Sequence, residues 1–165
     1  MRILGIDPGL ATMGWGVVDT EGGNLSYVAC GIISTPAGMP FPERLSSISS
    51  QLQEILHTYE PDEIVFEELF FARNVTTAFT VGAARGVAIM ICAGYRPDSL
   101  YEYTPMQIKQ AVVGYGNADK HQVQQMVKMI LHLNAPPRPD DAADAVAAAI
   151  THANAGQARF QFKMK

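Results

Sequence analysis

Four acidic residues of this chain lie where strands are expected to end or helices to begin: Asp7, Glu67, Asp141 and Asp144. Asp7 follows a short apolar segment that is typical of a buried strand, and Pro8 cannot donate to a sheet ladder, so pairing should end at Asp7. Asp141 and Asp144 are three residues apart and would share one face of a helix. These positions would bring carboxylates to the edge of a sheet.

Four carboxylates within a few ångströms of each other repel strongly unless a cation lies among them. The set contains no histidine or cysteine, so the hard ions Mg²⁺ and Mn²⁺ are the expected cations. Two such ions can activate a water molecule and stabilise the departing oxyanion in phosphodiester hydrolysis. Each acid taken alone also has an ordinary explanation as a turn former, a solvated side chain or a helix cap, so the hypothesis requires the four to meet.

The periodicity of apolar residues predicts the elements that would bring these acids together. Three successive strands are predicted at residues 3–7, 15–19 and 25–35. The turn signal Glu21-Gly22-Gly23-Asn24 makes these strands an antiparallel meander. An amphipathic helix over residues 45–59 leads to a fourth strand, residues 63–68, which should run parallel to the first.

The rest of the chain is predicted to place helices around one short strand, residues 99–103. The helix Thr76–Ala93 carries small residues on one side, which indicates either tight packing on the sheet or a face for self-association. Further helices are predicted after Thr104-Pro105, around residues 123–131 and at residues 140–154. The predicted fold class is α/β, with a five-stranded mixed sheet flanked by helices. Residues 1–155 should form a single domain, followed by a loose tail at residues 156–165.

Composition narrows the class of protein. A chain of 165 residues that is 48% hydrophobic can form one globular domain with a substantial core. No signal-peptide pattern or bilayer-spanning segment is recognised, and Cys30 and Cys92 lack metal-ligand spacing, so we expect a cytoplasmic protein with buried, reduced cysteines. The net charge is −4, but residues 69–138 carry an excess of bases that would allow local binding to a polyanion.

The motifs that contain the four acids resemble those of the bacterial Holliday-junction resolvase family RuvC. The similarity extends over about residues 2–155, in the order and spacing of that family. It is carried by Gly5-Ile6-Asp7-Pro8-Gly9, Gly14-Trp15-Gly16, Val65-Phe66-Glu67-Glu68, Lys109-Gln110-Ala111-Val112-Val113-Gly114, Lys120-His121-Gln122-Val123-Gln124 and Asp141-Ala142-Ala143-Asp144-Ala145. The first motif alone would be weak, because actin-like ATPases carry a similar turn.

The resemblance implies an RNase H-like fold and a homodimeric endonuclease acting on four-way DNA junctions. Each subunit would nick one of two strands of like polarity, leaving a 5′-phosphate, in recombination and repair. The resemblance assigns the metal site, with two Mg²⁺ or Mn²⁺ ions, to Asp7, Glu67, Asp141 and Asp144.

The same resemblance implies further roles. Lys120 would stabilise charge on the scissile phosphate, and Phe70 would stack on a base at the opened junction. The helix Thr76–Ala93 would form the dimer interface, and branch-migration motor proteins would be partners. The expected DNA-binding residues are Phe70, Arg73, Arg85, Lys109 and Lys120.

The chain departs from the family pattern at Ala11 and Met13, which puts particular DNA contacts of that loop in question. Three other hypotheses stay open on the sequence: an RNase H-like nuclease that processes RNA, an actin-like ATPase or sugar kinase, and a junction-binding module without catalysis. An actin-like enzyme normally needs a second domain, for which 165 residues leave no room. The presence of all four acids argues against a non-catalytic module. Competition between junction DNA and structured RNA would distinguish a junction nuclease from an RNA-processing nuclease.

Overall fold

In the computed structural model, which describes residues 1–69 and 75–165, a five-stranded mixed sheet forms the centre of the protein. The strands are β1 (Arg2–Asp7), β2 (Thr12–Glu21), β3 (Asn24–Ser34), β4 (Glu63–Glu67) and β5 (Leu100–Tyr103). Their order across the sheet is β3-β2-β1-β4-β5. The first three strands are antiparallel, and β4 lies parallel to both β1 and β5. This confirms the predicted meander and the parallel pairing of the first and fourth strands.

Within residues 1–69 and 75–165, five α-helices cover the two faces of this sheet. They are α1 (Phe41–Tyr59), α2 (Val75–Tyr95), α3 (Pro105–Val113), α4 (Lys120–Ile130) and α5 (Asp140–Asn154). Buried residues of β1 alternate between two hydrophobic clusters: Ile3 packs on the side of α3, α4 and α5, whereas Leu4 and Ile6 pack on the side of α1 and α2. The period of two that defines a strand therefore decides which face each side chain meets.

The C-terminal segment is not the loose tail that the sequence predicted. Residues Gly156–Phe162 form a 3-10 helix, and Phe162 packs against Tyr103 at a ring-centroid distance of 4.5 Å. The backbone N–H of Met164 donates to the carbonyl of Leu100 at the end of β5. Apolar contact and backbone pairing with this edge strand together hold the segment in place. A second expectation was half right: Cys92 is buried, but Cys30 is only partly buried.

Helix α2 presents two different sides. Ala84, Ala88 and Cys92 lie fully buried in the cluster that α1, α2 and this face of the sheet share, and the close backbone approach of α2 is to α1. Contrary to the sequence-based expectation, the stretch Thr76–Tyr95 is long and apolar enough to cross a bilayer, with a mean hydropathy of 1.5. Its other side exposes large apolar side chains, among them Phe79 and Met90.

Candidate functional site

The register of the sheet brings the first two acids side by side. In the parallel pair of β1 and β4, Ile6 lies opposite Phe66, so the next residues, Asp7 and Glu67, end adjacent strands at the same edge. Both follow residues buried against α1 and α2, so alternation directs both carboxylates to the opposite face, which α5 covers. The predicted meeting of the two strand-end acids is confirmed.

Helix α5 brings the other two acids to that edge. It begins at Asp140, packs on β1 and β2, and carries Asp141 and Asp144 in its first turns. The helix can lie this close because glycines face it: a Cβ added to Gly14 would overlap the backbone carbonyl of Asp141. Added Cβ atoms at Gly5 and Gly16 would overlap the helix in the same way. These strand glycines therefore allow α5 to approach the sheet closely, and this close approach determines where Asp141 and Asp144 lie relative to the strand ends.

Three of the four acids form a tight group. One carboxylate oxygen from each of Asp7, Asp141 and Asp144 lies within 4.8 Å of the other two. Glu67 falls outside that group but interacts electrostatically with Asp144 and Asp141, and it lines the same cavity as Asp144. The four acids predicted from the sequence therefore share one site, with Glu67 at its margin.

Burial and mutual repulsion raise the pKa of three of these carboxyls, those of Asp7, Glu67 and Asp144. Burial, reinforced by the charges of Glu67, Asp144 and Asp141, raises the pKa of Asp7 to about 8. Burial and the charge of Asp144 raise the pKa of Glu67 to about 7. The pKa of Asp144 is raised by burial, although a hydrogen bond from Lys120 opposes the change. Such shifts are typical of functional sites, and burial is the largest cause of each one.

The chemistry of this group fits a divalent metal ion. The donors are all carboxylates, which suit Mg²⁺ or Mn²⁺ rather than the softer ions that prefer sulfur or imidazole. A divalent cation would relieve the repulsion that raises the pKa of Asp7 and Glu67. A site of this composition can bind metal and keep positions open for water or phosphate oxygens.

Two lysines stand beside the acids, as the sequence predicted. The ammonium of Lys120, the first residue of α4, lies 2.9 Å from a carboxylate oxygen of Asp144. Lys109 of α3 lowers the pKa of Glu67 through its charge. Both lysines line a cavity of about 200 Å³ whose remaining walls are Glu67, Asp144, Pro105, Ile108, Val123 and Ala147. The walls of the cavity therefore contain two basic and two acidic side chains, and the rest of its lining is apolar.

Of the other candidate DNA contacts, the structure describes only Arg85, and Arg85 does not line this cavity. Phe70 and Arg73 lie outside the described residues. Arg85 of α2 donates to Glu102 of β5 at 2.5 Å and lines a different cavity with Glu68 and Leu69. The departures from the family pattern do not share a loop, as the sequence had suggested: Met13 lies in β2 and is fully buried in the core, whereas Ala11, just before β2, is exposed. Met13 therefore has a packing role.

A buried polar network at the far end of α5 was not predicted. His152, with no exposed surface, lies 2.6 Å from Glu63 and hydrogen-bonds the hydroxyl of Tyr103 at 2.9 Å. Burial lowers the pKa of His152, although Glu63 opposes the change. Arg159 of the C-terminal segment reaches the same glutamate at 3.1 Å. The spacing of Glu63 and Glu67 on β4 could have signalled it, because residues four apart on a strand share a face and meet opposite ends of α5.

Comparison with known proteins identifies relatives over nearly the whole chain. The family model described as crossover junction endodeoxyribonuclease RuvC matches residues 3–152. A protein of that name from Brevibacillus brevis is 58% identical and aligns over 93% of this chain and 92% of its own. Another from Alkaliphilus oremlandii is 52% identical over the full length of both. The structure of Thermus thermophilus RuvC in complex with Holliday junction substrate superposes with a TM-score of 0.89, at 37% identity, over 99% of this chain and 98% of that one.

Proposed function

This chain belongs to the RuvC family, and we propose on that basis that it is a Holliday-junction resolving endonuclease. Its reaction is metal-dependent hydrolysis of phosphodiester bonds in four-way DNA junctions, with paired symmetric nicks and 5′-phosphate products. The RNase H-like fold expected from the sequence agrees with the observed sheet and with the superposition on its relative. Arg85 stays a proposed DNA contact and would have to exchange its ion pair with Glu102 for a phosphate.

One observation carries this proposal: three carboxylates with oxygens within 4.8 Å of one another, next to Glu67 and two lysines, at the edge of the sheet. We assign two Mg²⁺ or Mn²⁺ ions to Asp7, Glu67, Asp141 and Asp144. When bound, these ions would supply an activated water and stabilise the departing oxygen. An actin-like phosphotransferase is not favoured, since residues 3–152 match a family of junction endodeoxyribonucleases.

The protein's own residues orient the reaction. The ends of β1 and β4 fix Asp7 and Glu67, because buried residues immediately before them hold both strands in the core. Lys109 and Lys120 would bind the phosphate and stabilise its developing charge. Binding of the DNA backbone by these and other bases would weaken steeply with salt. Phe70 and Arg73 remain proposed junction contacts, with a stacking role for Phe70.

We propose that the protein acts as a homodimer formed through α2. Phe79 and Met90 are 78% and 63% exposed, and they line up along the helix with Gly82 and Gly86. A Cβ added to either glycine would meet nothing within 4 Å, so a second backbone can approach closely there. A twofold dimer would present two sites to a nearly twofold junction and so produce paired cuts. We also propose a cytoplasmic location, with branch-migration motors as partners.

The substrate class is tested with a synthetic four-way junction, a linear duplex of the same sequence and a structured RNA, each incubated with the protein and Mg²⁺. We expect two symmetrically placed nicks in the junction, ligatable ends and little cleavage of the other two. Preferred cleavage of RNA would support the alternative nuclease. Binding without cleavage in both Mg²⁺ and Mn²⁺ would support a non-catalytic module. A monomer in sedimentation at assay concentrations would contradict the paired mechanism.

A further inference from the structure

Lys120 forms an ion pair with Asp144, one of the acids that would bind a metal ion. Its ammonium lies 2.9 Å from Oδ2 of Asp144, a member of the three-acid group. The Asp144 side chain is only 16% exposed, whereas that of Lys120 is 57% exposed. The lysine therefore approaches a largely buried carboxylate from the solvent side, at the end of a long and flexible side chain.

Lys120 also acts on the other members of the site. Its charge lowers the pKa of Asp7, Glu67 and Asp144, in opposition to burial. In return, its hydrogen bond with Asp144 and the charges of Asp141 and Asp7 raise its own pKa. Among the ion pairs of residues 1–69 and 75–165, this is the pair that joins a cation to the three-acid group. Lys120 thus supplies positive charge to the site when metal is absent.

We propose that Lys120 is a resident counter-ion of Asp144 that divalent metal displaces, so that metal entry releases its ammonium for the DNA phosphate. This inference rests on the proposed metal-dependent function and adds a coupling between its two ligands. A metal ion and an ammonium compete for the same carboxylate oxygens and repel each other at such short range. The Lys120 side chain is 57% exposed and can swing outward into solvent, away from the largely buried carboxylate of Asp144.

Displacement of Lys120 would couple the binding of metal to the binding of DNA. Metal binding frees Lys120 to meet a phosphate, and a phosphate that holds Lys120 away from Asp144 strengthens metal binding by the same factor. Substrate would therefore complete the metal site, and DNA-free enzyme would bind metal weakly. If Lys120 occupies Asp144 in about nine-tenths of the molecules, the apparent metal affinity falls by about tenfold.

The test is calorimetric titration of DNA-free protein with Mn²⁺, which reports binding without cleavage. We expect Lys120→Met to bind Mn²⁺ about tenfold tighter than the wild type. Lys120→Arg should bind like the wild type, because a guanidinium can keep the ion pair. Lys109→Met is the matched control: it removes the same charge near Glu67 without an ion pair to Asp144, and its affinity should change by less than about threefold. Circular dichroism would verify that each variant is folded.

The outcomes separate the inference from the proposed function. If Lys120→Met and Lys109→Met bind Mn²⁺ equally well, simple charge removal explains the effect and displacement is wrong. Unchanged or weaker binding by Lys120→Met would also overturn the inference while leaving a metal-dependent nuclease intact. If no protein, the wild type included, bound Mn²⁺ or Mg²⁺ with or without junction, the metal-dependent function itself would fail.

Discussion

We expect Asp7→Asn to remove nearly all junction cleavage while the protein stays folded and still binds the junction. Asp7 belongs to the three-acid group and ends the strand that fixes it in place. Asparagine keeps the shape of the side chain but removes the charge that would hold metal. Metal ions lower such barriers by several kcal/mol, and each ~1.4 kcal/mol is a factor of ten, so we expect single-turnover cleavage to fall by about 1,000-fold. Gel-shift affinity for the junction in Ca²⁺ should change by less than about threefold.

The same substitution should stabilise the metal-free protein, and this gain in stability should increase with pH. The pKa of Asp7 is about 8 in the folded protein, against 3.8 ordinarily. Between these values the unfolded chain ionises while the folded protein retains its proton, so the wild type loses stability as pH rises and the loss levels off above about 8. Asp7→Asn removes this loss of folding free energy. Because water screens part of the site, we expect the loss to be on the order of 2 kcal/mol.

Thermal unfolding in EDTA checks this expectation. The Tm of Asp7→Asn should exceed that of the wild type by roughly 5 °C at pH 8, and the two should converge near pH 4. Mg²⁺ should raise the Tm of the wild type more than that of the variant, because ligand that binds only the folded state stabilises it. A variant that is less stable than the wild type at pH 8 would show that Asp7 has a structural role as an ionised side chain.

Gly14→Ala should impair cleavage severely without touching a carboxylate. The added methyl would overlap the backbone carbonyl of Asp141, so α5 must move away from β2. A displacement of about 1 Å at a catalytic group can cost about 100-fold in rate, and overpacking of this kind destabilises by about 1–3 kcal/mol. We therefore expect a loss of cleavage of about 100-fold or more, weaker binding of Mn²⁺, and a Tm lower by several degrees.

Gly38→Ala is the matched control for this effect. The same methyl added at Gly38 would meet nothing within 4 Å, so cleavage, metal affinity and Tm should stay close to those of the wild type. A folded Gly14→Ala protein that cleaves junctions at the wild-type rate would mean that the position of α5 does not set the geometry of the site.

The sequence predicted what depends on local pattern. Alternation and turn residues located Asp7 at a strand end, and helical spacing put Asp141 and Asp144 on one face. The parallel pairing of β1 and β4 followed from the helix between them. The RNase H-like identity came from resemblance and not from these patterns.

What the sequence could not supply are contacts between distant segments. The ion pair of Lys120 with Asp144 and that of Arg85 with Glu102 depend on how helices and strands pack, so local pattern could not predict the partners of these two bases. The C-terminal segment looked loose because its anchors, Glu63 and Leu100, lie far away in the chain. The exposure of α2 likewise depends on which of its sides meets the core.

The central claim is that carboxylates directed to the α5 face of this sheet edge bind the metal that cleaves the junction. The most direct measurement is single-turnover cleavage of a four-way junction in Mg²⁺ by the wild type, Glu67→Gln and Glu68→Gln. The two variants remove one charge at neighbouring positions, but only Glu67 lines the cavity with Asp144, whereas Glu68 lines a separate one with Arg85. We predict paired nicks by the wild type, a rate about 1,000-fold lower for Glu67→Gln and a rate within about threefold of wild type for Glu68→Gln. Equal rates for the two variants, or an uncut junction with the wild type, would contradict the claim.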